Sequence, residues 1–140
     1  MSKVISLRPN VIKDNKGAVY KIMAVASPER ALNIAEVYYS EVKYGVIKGW
    51  KQHKRMTMNL SAASGLIHIA TFDPKTNETI GFDLSLNNHQ IISVKPGIWV
   101  AFRGDGENNI LLNLASIPHD PQESLSLSID SIDYKWPALS

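Results

Sequence analysis

The sequence contains no cysteine, which excludes disulfide bonds, thiolate chemistry and cysteine metal sites. It also lacks any apolar run near the roughly 18 residues that a membrane-spanning helix needs. At the start of the chain Lys3 and Arg8 interrupt the apolar stretch that a secretory signal would require. These absences predict a protein that has no membrane partner and works in the cytoplasm.

The chain also has too few residues for two large domains. Its 140 residues allow one compact domain with a core of its own, so we expect a single domain over residues 1–140. A content of 44% hydrophobic and 20% charged residues is ordinary for a globular protein. Disordered and collagen-like classes are therefore excluded.

Acidic residues are missing between Val42 and Phe72, and this gap contains five basic residues. They are Lys43, Lys48, Lys51, Lys54 and Arg55. The rest of the chain has a net charge of −3, so the positive field is local. Such a patch favours a phosphate-bearing small molecule, and the acidic remainder argues against nucleic acid. The alternative is a solvated strand edge protected by lysines.

Short runs rich in β-branched and aromatic residues recur along the chain, and turn residues separate them. We predict strands over residues 18–23, 36–42, 56–62, 66–72, 79–86, 90–94, 99–102 and 110–115. This spacing is typical of an all-β sandwich or barrel. Helix signals are confined to residues 27–32, where Ser precedes Pro, and to a single turn at 121–124.

The alternation at residues 56–62 predicts which side chains face inward. Met58 and Leu60 should point to one face of the sheet, and Asn59 to the other. Asn59 and Asn113 lie within predicted strands, where Asn is disfavoured, which indicates that these amides have specific partners.

The block from Gly45 to Gly65 resembles the first motif of the cupin superfamily. Gly45, His53 and Gly65 are in register with that motif, and Gly97 matches the second one. The resemblance implies an all-β fold, a single cupin-type jelly-roll barrel with at most one or two short helical turns.

In a metal-binding cupin the four ligand positions would correspond to Lys51, His53, Met58 and Val100. Only His53 offers a good ligand, because the other positions carry an ammonium, a thioether and an alkyl group. We therefore expect no metal and no other cofactor.

Four segments together resemble the dTDP-4-dehydrorhamnose 3,5-epimerase family: residues 49–54, 96–99, 113–121 and 130–136. In that family a His base stands at the position of Lys51, an enolate-stabilising Lys at Met58, and a proton-donating Tyr at His119. All three positions differ here, so loss of catalysis is an alternative that the sequence leaves open.

Residues 49–54 are also similar to the Gly-x-His-x-His-Lys segment of the dTDP-4-keto-6-deoxyhexose 3,4-ketoisomerases. Lys51 replaces the first His, while His53 and Lys54 are retained. The resemblance implies that Tyr39 on the preceding strand faces the same cavity and transfers protons. The alternative for Tyr39 is a packed aromatic at the barrel rim.

These resemblances assign roles to individual residues. We expect His53 to be the acid-base group, since imidazole titrates near neutrality, with Lys51 polarising the ketone. Tyr39 or His119 would serve the opposite face of the sugar. The candidate substrate-binding residues are Lys48, Trp50, Asn59, Trp99 and Arg103.

The sequence thus favours an epimerase or ketoisomerase of a dTDP-4-keto-6-deoxy sugar, working by metal-independent proton transfer in surface polysaccharide or deoxysugar biosynthesis. The alternative is a non-catalytic cupin that binds a carbohydrate or a nucleotide sugar. We also expect a homodimer formed across an edge strand near the N-terminus, because exposed strand edges tend to pair.

Overall fold

The computed structural model describes residues 2–22 and 33–139. These residues form short β-strands and two 3-10 turns, at Pro121–Glu123 and Ile129–Ser131. The strands are β1 (Val4–Leu7), β2 (Val11–Asp14), β3 (Gly17–Tyr20), β4 (Glu36–Val42), β5 (Ile47–His53), β6 (Met58–Ser64), β7 (Ile67–Asp73), β8 (Glu78–Leu84), β9 (Ile91–Val94), β10 (Trp99–Gly104), β11 (Asn109–Ala115) and β12 (Ser124–Ser126).

Two five-stranded antiparallel sheets contain most of the strands in the described part of the chain. The first has the order β1-β9-β6-β11-β4, the second has the order β12-β5-β10-β7-β8, and β2 and β3 form a separate hairpin. Few neighbours within a sheet are consecutive in sequence, because the chain crosses repeatedly from one sheet to the other. The prediction of an all-β, cupin-type jelly roll is confirmed.

The local predictions have mixed outcomes. The strand over residues 36–42 and the turn at 121–124 are confirmed, the latter with Asp120 capping it by accepting a hydrogen bond from the Gln122 backbone. Strands β1, β2, β5 and β12 were not predicted. Strand β5 has a Gly and two Lys among its seven residues, a composition that is unfavourable for strands. The predicted helix at 27–32 lies outside the described residues.

An apolar core fills the space between the two sheets. Met58 and Leu60 point inward as the alternation predicts, and Asn59 lies on the opposite face of β6. The buried members of this core are Met56, Met58, Leu60, Ala62, Ile67, Ile69, Leu84, Ile92, Val94, Ile98, Val100, Leu111 and Ala115. Such burial contributes about 25 cal/mol per Å² of apolar surface and is the main force that holds the sheets together.

A second apolar cluster lies on the outer face of the second sheet, beneath the C-terminal segment. Trp50, Ala101 and Ile132 are buried there. The Trp50 backbone exchanges two hydrogen bonds with Leu127, of 3.0 and 3.1 Å, and the Trp50 indole donates to the Ile129 carbonyl at 3.1 Å. The C-terminal segment is therefore held directly against β5.

Polar contacts fasten the same segment at its far end. Both ring nitrogens of His68 are hydrogen-bonded. Nδ1 lies 2.8 Å from the Asp83 carboxylate, and Nε2 lies 2.5 Å from the Tyr134 hydroxyl. Burial raises the pKa of Tyr134, so its hydroxyl stays protonated at neutral pH. With Nδ1 of His68 donating to Asp83, the Tyr134 hydroxyl donates to Nε2.

An irregularity in β5 decides which of its side chains face the cavity between the sheets. Val100 pairs with Lys51 and Phe102 pairs with Lys48, so two residues of β5, Gly49 and Trp50, stand opposite Ala101. This is a β-bulge, which shifts the alternation by one residue. Lys48 and Lys51 are three positions apart and would otherwise face opposite sides, yet both line the cavity.

Glycine is required at position 49 for two reasons. Its φ of +145° is rarely adopted by other residues, and a Cβ added there would lie 2.5 Å from the Ala101 Cβ. Gly17 has the same φ of +145°, but a Cβ added there meets nothing within 4 Å. The two glycines therefore separate backbone strain from steric overlap.

We predict that Gly49→Ala lowers the free energy of unfolding more than Gly17→Ala does. The first variant suffers about 1–3 kcal/mol of backbone strain plus about 1–3 kcal/mol of overlap, and the second suffers only the strain. Urea denaturation of both variants measures the difference. Equal losses would show that the contact between Gly49 and Ala101 is not tight.

Candidate functional site

A cavity of about 450 Å³ opens between β4 of the first sheet and β5 of the second. Its residues come from both sheets and from the loop that follows β11. They are Glu36, Tyr38, Ser40, Lys48, Gly49, Trp50, Lys51, His53, Met58, Leu60, Val100, Phe102, Leu111, Asn113, His119 and Ser126. The volume is in the range of small-molecule binding sites.

The floor of the cavity is apolar and continuous with the core. Met58, Leu60, Val100 and Leu111 form it, and all four are buried. Such a floor accepts a methyl group or the apolar face of a ring, and it excludes water from that end of the cavity.

One wall of the cavity, on β5, is cationic. Lys48, Lys51 and His53 line it. The Lys48 ammonium donates to the Glu41 carbonyl at 2.5 Å, which links β5 to β4. The Lys51 side chain has no hydrogen bond or ion pair within residues 2–22 and 33–139, so its ammonium is available to a negative oxygen.

The most ordered polar group in the site is the pair formed by His53 and Glu123. Nδ1 of the buried His53 contacts Oε1 of the buried Glu123. The other carboxylate oxygen, Oε2, accepts hydrogen bonds from the backbone amides of Arg55 at 3.0 Å and Met56 at 3.2 Å. The imidazole ring is therefore held in one orientation.

The charge of Glu123 fixes the tautomer of His53. Burial alone would raise the pKa of Glu123, but the hydrogen bond with His53 and those from Arg55 and Met56 outweigh it, and the pKa is lowered. Glu123 is thus an acceptor at neutral pH, so Nδ1 of His53 carries a hydrogen. Nε2 has no protein partner in the described part of the chain, so it is the ring nitrogen left for a ligand.

The opposite wall, on β4, presents Glu36, Tyr38 and Ser40. These residues alternate along the strand, so they share its inner face. The Tyr38 hydroxyl accepts a hydrogen bond of 2.8 Å from the Asn113 amide. A hydroxyl and a carboxylate thus face the cationic wall.

The structure corrects the expectation that Tyr39 faces the cavity. Tyr39 pairs with Leu112, its side chain is on the outer face of β4, and it is 70% exposed. Tyr38 is the tyrosine that lines the cavity. Neighbouring residues of a strand face opposite sides of the sheet. Polar and apolar residues do not alternate in β4, so its sequence does not show which of the two tyrosines faces inward.

Two predicted binding residues on β10 also face away from the cavity. Val100 and Phe102 line it, so Trp99 and Arg103 point to the outer face of the sheet. Arg103 is 5% exposed and pairs with Asp105 through bonds of 2.6 and 3.2 Å. The hydrogen bonding with Asp105 raises the pKa of Arg103, although burial acts to lower it. The guanidinium is committed there and does not clamp a pyrophosphate in the cavity.

Trp50 and Asn59 likewise have structural partners. The Trp50 backbone borders the cavity, but its indole is 1% exposed in the outer cluster and cannot stack on a ligand. The Asn59 amide is buried outside the cavity and donates to the Leu114 carbonyl at 3.0 Å. Of the remaining candidates, Lys48, Lys51, His53 and His119 line the cavity together. His119 is exposed at its mouth.

Sequence reasoning missed Glu123, Tyr38 and Glu36. Glu123 is 70 positions from His53 in the sequence. It lies in a turn that begins with Pro, and nothing in that local sequence indicates that its carboxylate is buried. Asn113 was recognisable as an amide within a strand, and Tyr38 is its partner. An amide that faces inward on β11 could therefore have pointed to the residue opposite it on β4.

The residues at the cupin metal positions lie together, but they form a poor ligand set. Lys51, His53, Met58 and Val100 all line the cavity. Among the residues that the structure describes, no three His, Asp or Glu side chains are grouped so that they could bind a metal.

In the described residues we also find no helix with the length and apolar character needed to cross a membrane.

No protein-family model and no curated protein matches the sequence, but solved structures do. A dTDP sugar isomerase from Desulfovibrio desulfuricans G20 is similar with a TM-score of 0.86 and 25% identity, over 97% of this chain and 93% of that chain. A variant of the 3,4-ketoisomerase QdtA from Thermoanaerobacterium thermosaccharolyticum, in complex with TDP-4-keto-6-deoxyglucose, has a TM-score of 0.76 and 23% identity, over 89% of this chain and 88% of that chain.

A third similar structure is a dTDP-4-dehydrorhamnose 3,5-epimerase from Sulfolobus tokodaii. Its TM-score is 0.84 at 20% identity, over 97% of this chain and 82% of that chain. These neighbours are cupin-fold proteins. They confirm the resemblance to the dTDP-sugar epimerases and ketoisomerases that the sequence motifs indicate.

The lowered pKa of Glu123 gives a prediction for stability against pH. A carboxyl whose pKa is lower in the folded state stabilises the fold above its unfolded value, near 4.5, and this contribution is lost as the pH falls through the folded value. Glu123→Gln should therefore lower the unfolding temperature at neutral pH.

The difference in unfolding temperature between Glu123→Gln and the wild type should shrink as the pH falls below about 4.5, because the wild type then loses the same interaction. Thermal unfolding followed by circular dichroism at several pH values measures it. A difference that stays constant with pH would show that the charge of Glu123 does not stabilise the fold. The exposed Glu107→Gln is the matched control, and it should show no such pH dependence.

Proposed function

We propose that the protein acts on a dTDP-4-keto-6-deoxy sugar as an epimerase or isomerase, by moving a proton next to the ketone. The proposal is supported by the buried pair of His53 and Glu123 in the wall of a cavity that also contains the ammonium of Lys51, which has no partner among the described residues. The 25% identity to a dTDP sugar isomerase over 97% of this chain supports the same class of reaction.

The first step is the removal of a proton from the carbon next to the ketone. Nε2 of His53 takes the proton, and the electron pair of the C–H bond moves into the enolate. Glu123 stabilises the imidazolium that forms, as a carboxylate does behind a histidine base. Lys51 places a positive charge against the enolate oxygen, and such stabilisation is often the largest contribution to catalysis.

The remaining parts of the cavity suit the rest of the substrate. The apolar floor of Met58, Leu60, Val100 and Leu111 accepts the methyl group of a 6-deoxy sugar and would oppose burial of a hydroxymethyl group. Lys48 and His119 face the open end, where a diphosphate would lie.

The reaction as proposed needs no metal, since only His53 among the four cupin metal positions offers a good ligand. We place it in surface polysaccharide or deoxysugar biosynthesis, in the cytoplasm. The absence of cysteine fits such a reducing compartment.

A homodimer across β1 is part of the proposal. Strand β1 is an edge of the first sheet, and Ile5 on it is 43% exposed, so the edge offers both backbone hydrogen bonds and apolar surface.

The proposed dimer should have twice the chain mass of 15.5 kDa in analytical ultracentrifugation. A mass of one chain at micromolar concentration would contradict the dimer.

The proposed function predicts deuterium exchange at the carbon next to the ketone when the protein is incubated with dTDP-4-keto-6-deoxyglucose in deuterated water. His53→Asn should lower the exchange rate by about 10²–10⁴-fold, because the base is lost. The amide can still donate to Glu123, which protects the fold. Affinity for the nucleotide sugar should stay within about tenfold, because the base acts mainly in the transition state.

Exchange is followed by proton NMR and binding by calorimetry. If the wild type binds the nucleotide sugar without exchanging any proton, the protein is the non-catalytic binder and the proposal of an enzyme is wrong. If His53→Asn exchanges as fast as the wild type, His53 is not the base.

Lys51→Met should separate catalysis from binding. Removing the charge against the enolate oxygen should lower kcat for exchange by about 10²–10³-fold, with a smaller change in KM. Lys54→Met is the control, since Lys54 is exposed and does not line the cavity. Equal effects of the two variants would show that Lys51 acts only through the general positive field.

A further inference from the structure

We propose that Glu36 selects a substrate whose sugar ring carries an amino group, so that the protein acts on an amino-sugar nucleotide. The ammonium binds the Glu36 carboxylate at the end of the cavity that lies away from the diphosphate. This inference rests on the proposed function, and it adds the class of sugar and the residue that recognises it.

Glu36 brings a carboxylate into the cavity without a counter-charge from the described chain. It is half-buried at the start of β4, and it lines the cavity on the same face of the strand as Tyr38 and Ser40. Within residues 2–22 and 33–139, the carboxylates that form ion pairs are those of Asp83, Asp105, Asp120 and Glu123. A half-buried carboxylate needs a cation or strong hydrogen-bond donors, so we expect the ligand to supply them.

The protein groups next to Glu36 do not supply a cation. Strand β4 is at the edge of the first sheet, and Glu36 pairs there with Ala115 of β11. Met58 and Leu60 of the nearby floor are apolar. His119 lines the same cavity, but it is exposed, and it forms no ion pair with Glu36. The space in front of the carboxylate is therefore open to a ligand.

Charge is distributed unevenly along the cavity. The Lys48 ammonium donates to the carbonyl of Glu41, which is five residues from Glu36 on β4. At a rise of about 3.3 Å per residue, the two positions on β4 are about 16 Å apart. An anionic diphosphate is attracted by Lys48 and repelled by Glu36, so the sugar ring extends from the diphosphate toward Glu36.

The bound substrate uses the positive charges of the opposite wall. In the proposed reaction Lys48 faces the diphosphate, Lys51 faces the enolate oxygen, and His53 is held by Glu123. Glu36 is then left without a counter-charge. A sugar hydroxyl could donate to Glu36 but would leave its negative charge in place. An ammonium cancels that charge and also donates hydrogen bonds.

The structure of the sugar indicates which carbon carries the amino group. Carbon 1 bears the diphosphate, carbon 4 is the ketone, and carbon 5 bears the methyl group of the 6-deoxy sugar. Carbons 2 and 3 remain, and carbon 3 is farther from the diphosphate. The inferred substrate is therefore a dTDP-linked 3-amino-3,6-dideoxy-4-keto sugar.

Calorimetric binding of three stable nucleotide sugars tests the inference. They are dTDP-3-amino-3,6-dideoxyglucose, its N-acetyl derivative and dTDP-6-deoxyglucose, which differ only in the group on carbon 3 and lack the reactive ketone. The wild type should bind the amino compound at least about tenfold more tightly than either of the others, because only the amino compound offers a charge to Glu36.

Glu36→Gln removes the charge and keeps the shape of the side chain. Its affinity for the amino compound should fall at least about tenfold, while its affinity for dTDP-6-deoxyglucose should change by less than about threefold. Glu41→Gln is the matched control, because it removes the same charge from the outer face of the same strand. This variant should keep the wild-type preference, and thermal unfolding checks that both variants are folded.

The outcomes separate this inference from the proposed function. Equal affinity of the wild type for all three compounds, or a preference that survives in Glu36→Gln, would overturn only the inference, since exchange with dTDP-4-keto-6-deoxyglucose is measured independently. Tighter binding of the N-acetyl compound would overturn it too, because that group is uncharged. If the wild type binds none of the three and exchanges no proton, the proposed function fails and the inference fails with it.

Discussion

The close contact between Gly49 and Ala101 is the constraint on which the site depends. Strand β5 is bulged at this contact, so Lys48 faces the cavity together with Lys51 and His53, while the indole of Trp50 lies on the outer face. The indole then anchors the C-terminal segment, and this keeps β12 paired with β5. Because Glu123 immediately precedes β12, the pairing of β12 with β5 brings the carboxylate to His53.

The electrostatics of the cavity follow from this arrangement. An acid-base group, His53, is fixed by a buried carboxylate on one wall, and an amide fixes the hydroxyl of Tyr38 on the other. Both are oriented before a ligand arrives, so little reorganisation is needed during proton transfer.

Much of the fold could be predicted from sequence, because strand alternation and turn residues are local. The bounds of β4 and the inward face of β6 were predicted correctly. The site was harder to predict. Tyr39 was expected in the cavity, where Tyr38 lies instead, and Trp99 and Arg103 were expected to bind substrate although they lie on the outer face of β10. Glu123 reaches His53 only through tertiary packing, which no local pattern reports.

The proposed chemistry requires that Glu123 holds His53 by Nδ1 and that Nε2 meets the ligand. Long-range ¹H–¹⁵N NMR of the imidazole rings tests it most directly, since it identifies the protonated nitrogen of each histidine. We expect His53 to carry a hydrogen on Nδ1, and its Nε2 resonance to shift when dTDP-4-keto-6-deoxyglucose is added. An Nδ1 without a hydrogen, or an Nε2 resonance that does not respond to saturating ligand, would show that this arrangement is wrong.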